Sequence, residues 1–335
     1  MQSNYPTLAI IGAGIAGLTA ARKCHDRGLS VTVFDKGRSP GGRISSRYTD
    51  LNLRFDHGAQ YFTVTDQRFE QQVGKWIEQG WGAEWTGRIV QLDAGEITDT
   101  PQQKRFVGVP TMSAIATGLA RELTVLCKTT INRITHASPG WMLQDDAGVI
   151  HGPFDSLILA IPALQAASLL ANHPLAQECH PIQMEPCWTV MVAFEDRIPV
   201  GFDGAFVAES PLGWIARNSS KPSRINEPDH WVLQGNPKWS EQNLEANPDQ
   251  VIQDLLKTFA RSIGLVLPKT KLAIAHRWRY ARGLATDRQR GFLHYAETRL
   301  TLIGDWLYDS RIEGAFLSGW EAAESVLCHL IAQPD

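Results

Sequence analysis

Most features that would place this chain quickly are missing from it. The 335 residues carry 32 Lys and Arg against 35 Asp and Glu, so neither sign is in excess. A net charge of −3 excludes a polybasic nucleic-acid binder and an acidic tail. Cysteine is sparse: Cys24, Cys127, Cys179, Cys187 and Cys328 are an odd number, far apart, with no C-x-x-C pair. That pattern excludes a disulfide or zinc framework and suits buried or free thiols in a reducing compartment. No run reaches the ~18 apolar residues needed to cross a bilayer. Residues 7–21 are mostly apolar, but the first Lys or Arg is Arg22, so the basic start of a secretion signal is absent. The expectation is a soluble, cytoplasmic protein that binds neither nucleic acid nor membrane. Repeats, low-complexity tracts and the H-E-x-x-H and S-x-x-K signatures are also absent.

What is present is a large core. Apolar residues make up 43% and charged residues 20%, and there are eleven tryptophans. At ~150 residues per domain the length predicts about two domains. Residues 7–11 read as a buried strand, 15–27 as a helix ended by Gly28, and 31–34 as a second buried strand. This is the start of a βαβ unit and predicts a parallel sheet. Residues 67–79 and 111–122 read as helices, 125–134 and 140–143 as strands, 145–148 as a turn, and 156–161 as a buried strand stopped by Pro162. The pattern then alternates: residues around Trp188, 205–207, 214–216, 231–233 and 271–280 read as strands of an antiparallel sheet. An amphipathic helix over 248–263, a buried strand over 299–304 and a closing helix over 313–330 complete the chain. The fold class is therefore α/β: a discontinuous Rossmann-like domain over 1–65, 100–165 and 295–335, and a substrate domain with a mixed or antiparallel sheet over 66–99 and 166–294.

Three segments carry chemistry. Gly12-Ala13-Gly14-Ile15-Ala16-Gly17 joins a strand to a helix. Gly12 makes the tight turn, Gly14 admits a pyrophosphate to the backbone, and Gly17 lets helix and strand pack closely, while the helix N-terminus offers N–H groups and positive potential. Asp35, which ends the second strand, suits the ribose hydroxyls of an adenosine. Lys36 and a Gly41-Gly42-Arg43 step follow, a second close-approach loop with a cation. Near the other end lie Gly304-Asp305 and Arg311-Ile312-Glu313-Gly314-Ala315, where a strand-end Asp could hold a hydroxyl of a sugar chain and a helix start could face negative charge. Each also has a plain reading, as a solvated loop or an ordinary strand–loop–helix.

The set G-A-G-I-A-G, Asp35, P-G-G-R, G-D-W, E-G-A and S-G resembles FAD-containing amine-oxidase-like flavoproteins. Asp56-His57-Gly58-Ala59-Gln60-Tyr61-Phe62, residues 214–222, His276-Arg277-Trp278-Arg279-Tyr280 and Gly304-Asp305-Trp306 together resemble bacterial renalases. The resemblance spans essentially the whole chain. It implies noncovalent FAD held by the three segments above together with His57, Gly58, Ala59 and backbone groups at Ile131. It implies oxidation of isomeric dihydro forms of NAD(P), chiefly the 2-dihydro and possibly the 6-dihydro form, to NAD(P)⁺. Dioxygen would be reduced to hydrogen peroxide in a metabolite-repair role.

Such chemistry needs a flavin, a stacking platform and phosphate contacts but no proton-abstracting residue, because hydride loss from a dihydropyridine leaves an aromatic cation directly. No catalytic side chain and no metal site is assigned. For the substrate, Gln60, Tyr61 and Phe62 are placed beside the flavin by the resemblance. His276, Trp278 and Tyr280 share one strand face and either stack on a substrate ring or belong to the core. Arg217 and Asn218 either meet a substrate phosphate or carboxamide or are surface residues, and Trp188 lines the pocket or is buried. A flavin-dependent amine oxidase is the alternative, although none of the ten lysines sits in a recognisable flavin-side motif. A redox-inactive dinucleotide-binding protein and a nicotinamide-dependent dehydrogenase also stay open on the residues alone.

Overall fold

The computed structural model describes residues 6–93, 95–284 and 290–331. The remainder of the expected domain ranges (1–5, 94, 285–289 and 332–335) lies outside the described residues.

The buried apolar runs form one sheet of six strands. In space their order is Phe292–Tyr295, Leu300–Ile303, Ser156–Leu159, Thr7–Ile11, Ser30–Asp35 and Thr124–Cys127. All neighbours are parallel except the edge strand Phe292–Tyr295. These strands lack alternation because both faces are covered. Leu8 and Ile10 pack with Leu18, Ala20 and Phe316 of the helices Ile15–His25 and Ile312–Ile331. Ala9 and Ile11 face the other way, against Trp141 and Leu143 of a three-stranded antiparallel layer and against Ala163 and Ala166 of the helix Ala163–Leu170.

The second sheet has seven strands, ordered Thr270–Gly283, Met184–Phe194, His230–Gly235, Leu212–Arg217, Gly204–Val207, Ile89–Asp93 and Glu96–Asp99. Only the Gly204–Val207 and Ile89–Asp93 pair is parallel. One face lies under the helix Pro248–Ile263 through Val251, Leu255 and Phe259, which recur at helical spacing. Asn247 caps that helix by accepting from the Asp249 N–H, and Gly264 closes it in the left-handed region.

Three expectations need correction. Residues 125–134 are not one strand: Lys128 turns the chain at φ 56°, and the halves Thr124–Cys127 and Ile131–Ala137 join different sheets. The helix expected over 111–122 is confined to Ser113–Leu119. The stretch 66–99 is divided. Its hairpin joins the second sheet, whereas the helix Gln67–Glu78 packs Phe69 against Phe316 with ring centroids 5.1 Å apart. Phe69, Val73 and Trp76 stand four and three residues apart, so one buried stripe draws that helix onto the first core.

Segments early and late in the chain meet. Arg43 makes a two-pronged ion pair with Asp305, Nη1 to Oδ2 at 2.9 Å and Nη2 to Oδ1 at 2.5 Å. Among the described residues, no helix is long and apolar enough to cross a membrane.

Candidate active site

A cavity of about 1700 Å³ opens between the glycine-bearing turn, the segment after Asp35, residues 57–63, the Thr270–Gly283 strand and the start of the closing helix. Pockets for a single drug-sized ligand occupy about 300–1,000 Å³, so this one has room for a dinucleotide and a second molecule.

Its floor is made by the glycine turn. A Cβ on Gly12 would stand 2.4 Å from the Ala160 carbonyl oxygen, at φ 111°, and one on Gly17 would stand 2.0 Å from the Gly12 oxygen. Both positions hold the helix against the strand, and neither tolerates a side chain. Around Gly14 the space is open. Gly14 is also the N-cap of the helix Ile15–His25, with no side chain capping it, so the first helical N–H groups are left to a ligand. Asp35 locks this turn: its Oδ2 accepts from the Ala13 N–H and its Oδ1 from the Gly37 N–H, each at 2.6 Å. Gly42 closes over the turn beside the Gly14 Cα. This open, uncapped, Asp-braced turn fits the pyrophosphate and adenosine of a dinucleotide.

The structure brings most of the expected cofactor residues onto one wall. Gly12, Gly14, Ile15, Ala16, Asp35, Lys36, Gly42, Arg43, His57, Gly58, Ala59, Ile131, Gly304, Asp305, Arg311, Ile312, Glu313 and Ala315 all line the cavity. Ala13 and Gly17 lie behind it, in the turn itself. Glu313 is already engaged, accepting from the Thr65 N–H at 2.7 Å, the Asp66 N–H at 3.0 Å and the Thr65 hydroxyl. It fastens residues 65–66 to the start of the closing helix.

The second half of the cavity is aromatic. Trp278 donates its indole N–H to the His57 carbonyl at 2.9 Å, and its ring lies 5.1 Å from His57 and 4.5 Å from His276. Tyr61 packs against Trp214, and Tyr280, Phe62 and Gln60 complete the expected set on the wall. Burial, with the His276 imidazole and the Arg47 charge disfavouring a second cation, lowers the His57 pKa to about 3. Burial and the same Arg47 lower that of His276. Both imidazoles are therefore neutral near pH 7 and offer polar but uncharged edges to a ligand. Cys187 lines the same wall, and burial holds its thiol protonated, with a pKa of about 11.

Three expected substrate residues are not on this wall. In the sheet, Cys187 stands opposite Trp278 whereas Trp188 stands opposite Arg277. Strand alternation therefore turns Trp188 to the far face, where its indole N–H donates to the Asn243 carbonyl at 2.8 Å. Arg217 is only 1% exposed; its Nη1 contacts both Asp229 oxygens, at 3.1 and 3.0 Å, and its Nη2 donates to the Ile198 carbonyl. Asn218 is fully buried, donating to the Arg54 carbonyl and accepting from the Asp56 N–H. A charge buried without a partner is too costly to persist, and these two residues spend their polar groups on fixing residues 54–56 and 229.

Sequence reasoning also missed a buried cluster behind residues 56–62. Asp56 accepts from Lys221 at 3.2 Å, Arg224 at 2.6 Å, the Met112 N–H at 2.9 Å and the Ser46 hydroxyl at 3.0 Å. Burial would raise its pKa, but the two cations and these donors bring it down to about 2. Lys221 reaches on to the Gln60 Oε1 at 3.2 Å, and burial lowers its own pKa to about 8 against the pull of Asp56. Nothing in the spacing of Asp56, Lys221 and Arg224 signals this; only the fold joins them. Arg47, Trp214 and Phe206 also line the cavity without having been singled out for it.

A Rossmann-like body with an open glycine turn, a second sheet facing it and a cavity between them fit an enzyme that holds a dinucleotide. Comparison with known proteins agrees. Residues 10–75 match the NAD(P)-binding Rossmann-like domain, and residues 87–327 match the flavin-containing amine oxidoreductase family. The chain belongs to that family, and its cofactor is FAD. Among curated relatives, protoporphyrinogen oxidase 2 of Arabidopsis thaliana is 33% identical over 108 residues, 31% of this chain and 18% of that protein. Hydroxyneurosporene desaturase of Rubrivivax gelatinosus is 32% identical over 124 residues, 30% of this chain and 23% of that protein. The matches thus span about a fifth of those relatives' length. Among solved structures, one from Exiguobacterium sp. 255-15, provisionally described as a protoporphyrinogen oxidase, superposes with a TM-score of 0.77 at 16% identity, covering 99% of this chain and all of that one. A redesigned putrescine oxidase superposes with a TM-score of 0.71 at 12% identity, covering 96% of this chain and all of that one. At these identities the likeness is one of fold.

Proposed function

We propose that this flavoenzyme oxidises isomeric dihydro forms of NAD(P), the 2-dihydro form above all, to NAD(P)⁺, with dioxygen as the electron acceptor and hydrogen peroxide as product. FAD, held without a covalent bond, supplies hydride acceptance. The chain supplies the rest. The uncapped helix N-terminus at Gly14 and the Asp35 brace hold the cofactor's phosphates and adenosine. Trp278, Tyr61 and Tyr280 form a stacking platform for a planar ring. The neutral His57 and His276 exclude water without offering a proton donor of low pKa, and the reaction needs none.

The observation that carries this reading is the charge of the cavity wall. Lys36 and seven arginines line it, against four carboxylates: Asp35, Glu185, Asp305 and Glu313. Each carboxylate is engaged: Asp35 with backbone N–H groups, Glu185 with Arg282, Asp305 with Arg43 and Glu313 with residues 65–66. Among the described residues a protonated amine would meet no free anion, whereas a second dinucleotide would meet Arg38 and Arg47, which no carboxylate neutralises. The cytoplasmic setting and the domain division (FAD body 1–65, 100–165 and 295–335, with the helix Gln67–Glu78 added to it) belong to this reading. The test is anaerobic mixing of the yellow holoenzyme with separated 2-dihydro and 6-dihydro NAD. Rapid flavin bleaching supports the reading; bleaching by small amines and not by these isomers refutes it.

A further inference from the structure

The expected guanidinium for a substrate phosphate, Arg217, is spent on Asp229, and the cavity holds another. Five of its seven arginines are paired with carboxylates: Arg43, Arg277, Arg279, Arg282 and Arg311. Lys36 reaches Gln165. Arg38 is exposed, three residues beyond Asp35, at the adenosine end. Arg47 is different. It is half-buried on the cavity wall, and among the described residues its guanidinium has no hydrogen-bond or ion-pair partner. Its place follows from the chain path. The segment starts at Gly42, against the Gly14 Cα where cofactor phosphates would lie, and ends at Arg47, whose charge is felt by His57 and His276. Its strand, Arg47–Tyr48, is pinned by pairing with Arg54–Phe55, so the guanidinium is carried on ordered backbone. On the same cavity wall, the Nδ1 of His57, on a residue 6% exposed, makes no hydrogen bond of good geometry among the described residues. An arginine with no partner among the described residues therefore lines the cavity with His57, whose ring lies 5.1 Å from that of Trp278.

We propose that Arg47 is the substrate's anion-binding group, taking a phosphate oxygen of the second dinucleotide while its dihydropyridine ring lies against Trp278. This rests on the proposed function for the identity of the ligand but not for the subsite. A guanidinium presents two parallel N–H donors to a phosphate, and in a partly desolvated wall such charge-assisted bonds are among the strongest available. Arg47 would then set specificity between phosphorylated dihydropyridines and their uncharged counterparts.

The test compares wild type with Arg47→Ala and Arg47→Lys as holoenzymes of equal flavin content. Inorganic pyrophosphate and NAD⁺ are titrated into the oxidised protein and followed by the flavin spectrum and by calorimetry. Arg47→Ala should weaken both by roughly ten- to hundredfold, the span of a lost charge-assisted hydrogen bond, and Arg47→Lys should recover part of it. In turnover, KM for the 2-dihydro dinucleotide should rise in Arg47→Ala, while KM for the uncharged 2-dihydronicotinamide riboside stays unchanged. Unaltered pyrophosphate binding in Arg47→Ala overturns the proposal, as does an equal loss for the riboside. Because the titration needs no turnover, it decides the role of Arg47 even if neither dihydro isomer proves to be a substrate. That second failure would fall on the proposed reaction alone.

Discussion

The Asp56–Lys221–Arg224 cluster makes a prediction with a sign that intuition would reverse. Lys221 is fully enclosed, and burial outweighs the attraction of Asp56, so its pKa falls from the ordinary 10.5 to about 8. At ~1.4 kcal/mol per unit, keeping this ammonium charged at neutral pH costs the folded protein about 3 kcal/mol. Asp56 does not depend on it alone, since Arg224 sits at 2.6 Å and the Met112 N–H at 2.9 Å. Lys221→Met, which keeps the stem and removes the charge, should therefore be near neutral or stabilising by up to ~3 kcal/mol at pH 7, because Arg224 still compensates Asp56. Asp56→Asn leaves two buried cations without their anion and should cost about 3–5 kcal/mol. The pH dependence follows from linkage. Between pH 8 and 10.5 the unfolded lysine holds a proton that the folded one has released, so stability attributable to Lys221 rises with pH across that window. The difference between wild type and Lys221→Met isolates this rise from other alkaline titrations. Urea denaturation of the holoenzyme at pH 7, 8, 9 and 10, with unchanged m-values, reads all three quantities. A Lys221→Met variant destabilised by more than about 3 kcal/mol at pH 7, or a difference flat from pH 8 to 10, would refute the reasoning.

Other perturbations bear on the site. Asp35→Ala removes two 2.6 Å bonds that brace the glycine turn and should weaken FAD retention by ~1–3 kcal/mol, read as flavin content after dialysis. Trp278→Ala should slow anaerobic flavin reduction while flavin stays bound; parallel loss of flavin would make it structural. Arg217→Ala should destabilise by about 3–5 kcal/mol, through the orphaned Asp229, yet leave KM unchanged in whatever protein folds. His57, with a pKa of about 3, should add no inflection to the rate profile between pH 5 and 8. Because its folded pKa lies below the ordinary 6.5, its contribution to stability should fall as pH drops from about 6.5 towards 3, which acid titration of His57→Gln against wild type measures.

Local patterns carried much of this protein in its sequence. The glycine spacing of residues 12–17 marks a tight strand-to-helix turn: Gly12 and Gly17 would each drive a Cβ into backbone, and Gly14 leaves open space beside the helix N-terminus. Runs such as residues 7–11 and 300–303 declare strands covered on both faces, and Val251, Leu255 and Phe259 declare a one-sided helix. The residues expected to hold the cofactor were therefore legible as cavity lining, Ala13 and Gly17 excepted. Tertiary structure decided what depends on register and on partners distant in the chain. A shift of one position in strand alternation put Cys187 in the cavity and Trp188 in the core. Asp229, twelve residues on, claimed the Arg217 guanidinium. Asp56 gathered cations from more than 160 residues away, and among the described residues no carboxylate was brought to Arg47. Charge and burial are set by what the fold assembles around a side chain, and a linear sequence does not contain those distances.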